Sequence, residues 1–420
     1  MVGRGGREHA LVRALRRSPR SPELLCAPGN TGIAADARLL EVAVDDVEGL
    51  VAAARHERVD FVVIGPEAAL VAGVSDALAE AGIGCFGPSA SAAALEGSKA
   101  FSKEIMAAAG VPTAAYTVVD EVQAGLDAIA AYPAVIKADG LAAGKGVLIV
   151  EDDAGARAAL ESLLVERRFG TERVLVEEHL VGEELSLLAV CDGRTAVPLA
   201  SAQDYKRILD GDAGPNTGGM GSYSPVPAID AARGEEICRL VHQPVLDELA
   251  RRGLPFHGVL YAGLMLTAEG PKVLEYNVRF GDPETQAVLP RLRSDLLALL
   301  HAATVPGGLA GVELEWAPET AVTIMLASAG YPETASRGDV IDGLEAIDPA
   351  VEITHAGTAR SASGELVTAG GRVLGVTALG ADAAAARRAA YAAADMIEFA
   401  GKQLRRDIAA RAVLAQETLR

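Results

Sequence analysis

The feature that most constrains this sequence is a recurrence of short apolar runs that end at glycine and pass into amphipathic stretches. VDFVVIG (59–65) closes on Gly65-Pro66, VSDALAEAG (74–82) follows with helical spacing, and IGCFGPS (83–89) is again apolar before a turn. Runs of this length bounded by Gly and Pro read as buried strands, and the stretches between them as covering helices. Repeated units of that kind imply an α/β fold that begins with a doubly wound parallel sheet over residues 1–96. The chain opens against this pattern. GRGGREHALVRAL is a glycine-rich turn entering a helix with only Met1-Val2 ahead of it, so the first strand of that sheet is expected to be truncated.

A chain of 420 residues is too long for one simple core, and two to four domains are expected. After a helix in LEGSKAFSKEIMAAAGVPTAAY (95–116), stopped by Gly110 and Pro112, a smaller unit follows. It reads as strand AVIKADG (134–140), glycine-rich loop and strand LAAGKGVLIV (141–150), a helix over 153–165, and RVLVEEHLVGEELSLLAV (173–190) as two strands about a polar hinge. A larger unit returns with one helix over 234–253 and strands over 258–267 and 272–280, and a last α+β segment begins near 321. Half the residues are hydrophobic but only 4% aromatic, a balance suited to parallel strands. The net charge of −19 argues against a nucleic-acid partner. Four scattered cysteines without a CxxC pair, no signal-peptide core and no apolar stretch of about 18 residues lead us to expect a reduced, cytoplasmic protein with no membrane partner.

Four constellations carry chemistry. VLEYNVRFGDPETQ (273–286) packs three carboxylates, an asparagine and an arginine into fourteen positions. Strand alternation aligns Val273, Glu275 and Asn277 on one face, and two oxygen donors there suit Mg²⁺ or equally a solvated polar edge. Arg279, Asp282 and Glu284 follow in a Gly-Pro turn that fits either an anion or a structural ion pair. In IKADGLAAGKGV (136–147), Lys137 ends a strand and Lys145 lies among Gly140, Gly144 and Gly146. Such a loop can bring N–H groups and ammonium charge to phosphates, or be an ordinary hairpin; it does not match GxxxxGK[ST]. VLVEEHLVGEEL (174–185) breaks at a hinge whose backbone can read an adenine edge, with Glu184 placed for ribose hydroxyls or merely for a solvated turn. QDYKRILDGDAGPNTGGMGSYSP (203–225) reads as a long binding loop with Lys206, Arg207, Asp212, Asn216 and Thr217 as its polar groups. Lysine occurs at only seven positions, and Lys99, Lys137, Lys145 and Lys206 all fall at glycine-rich or strand-edge sites where an ammonium can approach phosphate. In this order the elements describe a nucleotide held between a small lid and a larger platform.

GGREHAL (5–11), PGNTG (28–32), GPEAAL (65–70), GSKAFSK (97–103), GVLYAGLM (258–265), RFGDPETQ (279–286) and GGRVLGVTALG (370–380) complete a pattern spanning essentially the whole chain. It resembles the ATP-grasp enzymes and, within them, the phosphoribosylamine–glycine ligases. The resemblance implies an N-terminal domain over 1–96, an ATP-grasp domain over 97–318 with a lid at about 115–187, and a C-terminal α+β domain over 319–420. It implies ATP with Mg²⁺ or Mn²⁺, and ligation of glycine to 5-phosphoribosylamine through glycyl phosphate, yielding glycinamide ribonucleotide in purine biosynthesis by a monomer. By position it implies Glu275 and Asn277 as metal ligands, and Lys99, Lys137, Gly144, Lys145 and Gly146 around the phosphates. Glu177, Glu178 and Leu180 would meet adenine, and Glu184 the ribose. Gly5, Gly6, Asn30, Glu67, Asn216, Thr217 and Gly218 would border the substrates, and Arg279, Lys206 and Asp212 would act in catalysis. Two departures stand out: the nearly absent first strand, and Arg4 where the family commonly carries Asn. Another carboxylate–amine ligase of the same fold, or a catalytically silent nucleotide-binding protein, are the alternatives.

Overall fold

The computed structural model describes residues 1–142 and 146–418. Strands Arg38–Leu39, Leu25–Pro28 and Val2–Gly3 pair in parallel, as do Phe61–Val63 and Gly84–Phe86, and a Val2–Ile64 bridge joins the two groups into one sheet. The first strand is therefore central and two residues long. Helix Gly6–Arg16 leaves it at once, its first turn held by the Glu8 carboxylate, which accepts from the Gly5 N–H at 2.6 Å. That carboxylate is packed so tightly that a Cβ on Gly65 would lie 2.3 Å from Glu8 Oε1.

Among the described residues, parallel pairing beyond this sheet is a single Thr113–Val273 bridge. The composition suggested parallel strands generally, but the remaining sheets are antiparallel. The lid sheet runs Tyr116–Val119, Val174–Glu178, Ala134–Ala138, Val147–Val150. Helices Val122–Asp127 and Asp153–Leu160 complete its own small core around Ile136, Leu160 and Val174. The platform sheet runs Ala196–Pro198, Glu183–Asp192, His257–Thr267, Gly270–Asn277. The single helix expected over 234–253 is two, Ala231–Val241 and Gln243–Arg251, because Pro244 has no N–H to continue the ladder and instead starts the second helix.

The long segment 203–225 is not an open loop. Arg207–Leu209 and Ala213–Asn216 form a hairpin, while Gln203–Asp204 and Gly221–Ser224 enter a five-stranded sheet with Thr320–Ala327, Arg372–Gly380 and Glu352–His355. Its glycines allow close strand approach: a Cβ on Gly221 would lie 2.7 Å from the Thr323 carbonyl oxygen. The sheet of the C-terminal segment thus reaches back across the expected boundary at 319 and anchors one wall of the cleft described below. Among the described residues no helix is long and apolar enough to cross a membrane.

Leu264 is fully buried in the main core behind the platform. Leu264→Ala should cost about 2–5 kcal/mol in denaturant-induced unfolding, and a loss under about 1 kcal/mol would show that this layer is not close-packed.

Candidate functional site

The lid, the platform and the 203–218 segment enclose a cleft of about 690 Å³. Its floor is one face of the platform sheet. There Ser186 and Glu275 both stand opposite Gly263, and Asn277 stands opposite Tyr261. A register shift at Gly263/Leu264 inserts an extra residue in the last strand, and the alternation expected from sequence fails at that point. Val273 turns into the core with Tyr276 and Val278, while Leu274, Glu275 and Asn277 reach the cleft. Burial opposes ionisation of Glu275, but Lys206, Lys137, Lys99 and Arg279 together hold its carboxyl below the usual carboxylate range.

Glu275 has no lysine or arginine within salt-bridge distance among the described residues. Asn277 Oδ1 accepts from Arg279 Nη2 at 3.0 Å. Two hard oxygen donors on one face fit a divalent cation. Since no three His, Cys, Asp or Glu side chains gather round a common centre among the described residues, such a cation would take its remaining ligands from phosphate and water.

The ammonium groups converge from three directions. Lys99, at the start of helix Lys99–Ala109, donates to the Gly140 carbonyl at 3.0 Å. Lys137 lies 2.9 Å from Glu177 Oε2 and donates to the Leu274 carbonyl at 3.0 Å, tying lid to platform. Lys103 meets the same Glu177 oxygen at 3.1 Å, and burial, stronger than that pairing, pushes its ammonium down to about 8. Glu177 Oε1 is buried without a partner, which leaves an acceptor waiting for a donor. Lys103 was not singled out from sequence, although it follows Lys99 by one helical turn. At the hinge, Glu178 accepts from the Ala115 N–H at 3.0 Å, and Leu180 lines the cleft. Glu184 is paired with Lys206 at 2.6 Å, so any ribose hydroxyl there would share its carboxylate. Gly146 also lines the cleft; Gly144 and Lys145 lie outside the described residues.

The substrate-side expectations separate. Glu67 lines the cleft and binds Arg279 Nε at 3.1 Å. Asn216, Thr217 and Gly218 line the opposite wall, where Arg372 from the C-terminal sheet donates to the Gly218 carbonyl and pairs with Asp282 at 2.8 Å. Asp212 meets Arg405 at 2.9 Å and Arg411 at 2.8 Å. Gly5 and Gly6 stand behind the lining; a Cβ on Gly6 would come 2.9 Å from Gln286 Nε2. Asn30 uses its whole amide on backbone, donating to Arg4 and His355 carbonyls and accepting from Gly32 and Ile33. It joins the N- and C-terminal domains and does not reach the cleft.

Arg7 and Asp204 line the cleft without having been expected there, and Glu284, read from sequence only as part of the turn after Arg279, lines it too. Burial, with Lys206 opposing and Glu284 and Glu184 adding, pushes the Asp204 carboxyl up to about 8. Nothing in the local sequence marks Asp204; its strand pairing with Gly221–Ser224 is what brings it in.

Comparison with known proteins adds to this geometry. The chain matches the phosphoribosylglycinamide synthetase N domain over residues 1–96, the ATP-grasp (A) domain over 97–285 and the C domain over 321–411. It is similar to the phosphoribosylamine–glycine ligase of Streptomyces coelicolor, 52% identical over 98% of both chains. The Xanthomonas axonopodis pv. citri enzyme of the same name is 48% identical over 98% of this chain and 97% of the relative. The crystal structure of phosphoribosylamine–glycine ligase from Thermotoga maritima superposes with a TM-score of 0.79 at 34% identity, covering 97% of this chain and 98% of that one. The fold is shared more widely: the biotin carboxylase domain of Hydrogenobacter thermophilus 2-oxoglutarate carboxylase gives 0.72 at 17% identity, covering 96% and 90%.

The Asp204 carboxyl yields a pH prediction. Its folded value of about 8 lies above the ordinary 3.8, so the folded state keeps the proton longer. The stability this contributes is complete below about 4 and is lost as pH rises through about 8. Without nucleotide, Asp204→Asn should therefore gain in melting temperature relative to the parent from pH 5 to pH 8.5. A difference that stays flat with pH would refute the shift.

Proposed function

The chain belongs to the phosphoribosylglycinamide synthetase family, and on that premise we propose that it ligates glycine to 5-phosphoribosylamine using ATP, giving glycinamide ribonucleotide, ADP and phosphate. The observation that carries the reading is the platform face on which Glu275 and Asn277 project into a cleft surrounded by Lys99, Lys137 and Lys206. A carboxylate is a poor electrophile until one oxygen becomes part of a phosphate. A glycine carboxylate oxygen attacks the γ-phosphorus, the bond to the bridging oxygen breaks, and ADP leaves. The phosphoribosylamine nitrogen then attacks the acyl carbon, the C–O bond to phosphate breaks, and the nitrogen loses a proton.

The chain's part is positional and electrostatic. Lys99 and Lys137 neutralise phosphate oxygens between lid and platform, and Lys206 stands where charge moves to the leaving group. Leu180 and Glu178 accommodate the adenine edge, and Glu184 the ribose. Glu67 and the 216–218 turn face the phosphoribosylamine side, with Arg279 behind them and Asp212 holding the hairpin. Glu275 and Asn277 hold a divalent cation, Mg²⁺ or Mn²⁺, which supplies charge neutralisation for the transferred phosphoryl group. The closed lid keeps water from the acyl phosphate. We assign domains at 1–96, 97–318 with a lid at about 115–187, and 319–420; the matched spans 1–96, 97–285 and 321–411 support the three-part division. A cytoplasmic monomer is the form we assign to it.

ADP release by the purified chain should require both glycine and phosphoribosylamine; release that ignores glycine would overturn the assignment. Glu275→Gln and Asn277→Ala should each lower turnover by about 10²-fold or more, with the loss greatest at limiting Mg²⁺. Near-parental activity of either variant at limiting metal would remove it from the cation site.

A further inference from the structure

The acids lining the cleft are nearly all paired. Glu67 and Glu96 meet Arg279, Glu177 meets Lys103 and Lys137, and Glu184 meets Lys206. Glu178, Asp212 and Asp282 likewise each have a lysine or arginine within salt-bridge distance. Among the described residues three cleft acids have none: Glu275, Asp204 and Glu284. Glu275 is accounted for by the cation site. The other two belong to one recess. Glu284 is only 2% exposed, and its Oε1 accepts from Tyr261 Oη at 2.6 Å and from Ser186 Oγ at 3.1 Å. Tyr261 and Ser186 rise from the platform face directly across from Asn277 and Gly263, so the recess adjoins the cation pair. Asp204 enters from strand Gln203–Asp204, which a Ser186–Ala202 bridge holds beside the platform strand that carries Ser186.

Glu284, buried, and Asp204, half-buried, are costly to keep in one recess without a cation unless a ligand completes them. The ligand must be cationic and small enough to lie beside the phosphoryl-transfer site. Resting on the reading above, we infer that Asp204 and Glu284 are the receptor for the α-ammonium of the glycine substrate, holding it so that the carboxylate points toward the phosphates. Tyr261 and Ser186 orient the Glu284 carboxylate and are positioning residues. The same charge requirement discriminates against hydroxy acids of glycine's size, which offer a neutral hydroxyl where the ammonium sits.

The test is steady-state ADP release by the full chain with ATP, Mg²⁺ and phosphoribosylamine, comparing glycine with glycolate. In Asp204→Asn and Glu284→Gln, KM for glycine should rise about 30-fold or more while KM for ATP stays within about 3-fold. The preference for glycine over glycolate in kcat/KM should fall at least about tenfold, which a general structural defect would not cause. A glycine KM within about 3-fold of the parent, or an equal loss for both acids, overturns the inference and leaves the ligase reading intact. A parent protein that shows no glycine-dependent release overturns both. If Glu284→Gln does not fold, Ser186→Ala, which removes only a hydrogen bond to that carboxylate, is scored by the same ratio.

Discussion

The Arg279 guanidinium is the point at which the parts of this molecule are tied. It binds Glu67 of the N-terminal domain at 3.1 Å, Glu96 at the end of helix Ala90–Gly97 at 3.0 Å, and Asn277 of the platform at 3.0 Å. Burial pushes the Glu96 carboxyl up, and burial also works against Arg279, yet Glu96 and Glu67 keep the guanidinium firmly charged. Removing one partner from such a group leaves an uncompensated buried charge, at a cost of about 3–5 kcal/mol. The cleft therefore inherits its shape from this network: two residues past the end of the strand bearing Glu275 and Asn277 comes the residue that ties the N-terminal domain to it.

A second consequence concerns Arg372. It reaches from the C-terminal sheet to the 217–219 turn and to Asp282, two residues before Glu284. The C-terminal segment supplies no floor to the cleft, but it fixes both its far wall and the turn that carries the buried acid. Rigid support of this kind is what a site needs when its groups act by position and charge.

The strands at 61–63 and 84–86, three of the four lid strands and three of the four platform strands were legible in the sequence because apolar runs bounded by Gly and Pro leave few options, whereas the short edge strands Tyr116–Val119 and Ala196–Pro198 were not. Glu275, Asn277, Lys137 and Leu180 were legible as cleft residues for a related reason, since each follows or interrupts such a run. Three things were not. The shift that turns Val273 inward depends on how two strands pair, which alternation within one strand cannot express. The fate of 203–225 depended on a partner strand about a hundred residues away, and its Gly, Asn and Asp content suits close strand approach as well as it suits an open loop. Asp204 carries no local mark, and Glu284 was marked only as one acid of the turn after Arg279; only the fold puts the two in one recess.

The charge pattern also constrains how an anionic nucleotide enters. A chain of net charge −19 repels a triphosphate at long range, so the cleft must act locally. Its lysines are not free in the structure; Lys137 leans on Glu177 and Lys206 on Glu184. On the proposed function, binding is an exchange of partners in which phosphate oxygens replace carboxylates, one desolvated at Glu177 and one exposed at Glu184. At Lys137 such an exchange avoids most of the cost of stripping water from the ammonium group, and on the proposed function it would release carboxylates near adenine and ribose. On that reading the acids of the lid and hinge would serve in turn as holders of the lysines and as acceptors for the nucleoside, which would account for a cleft lined by so many carboxylates.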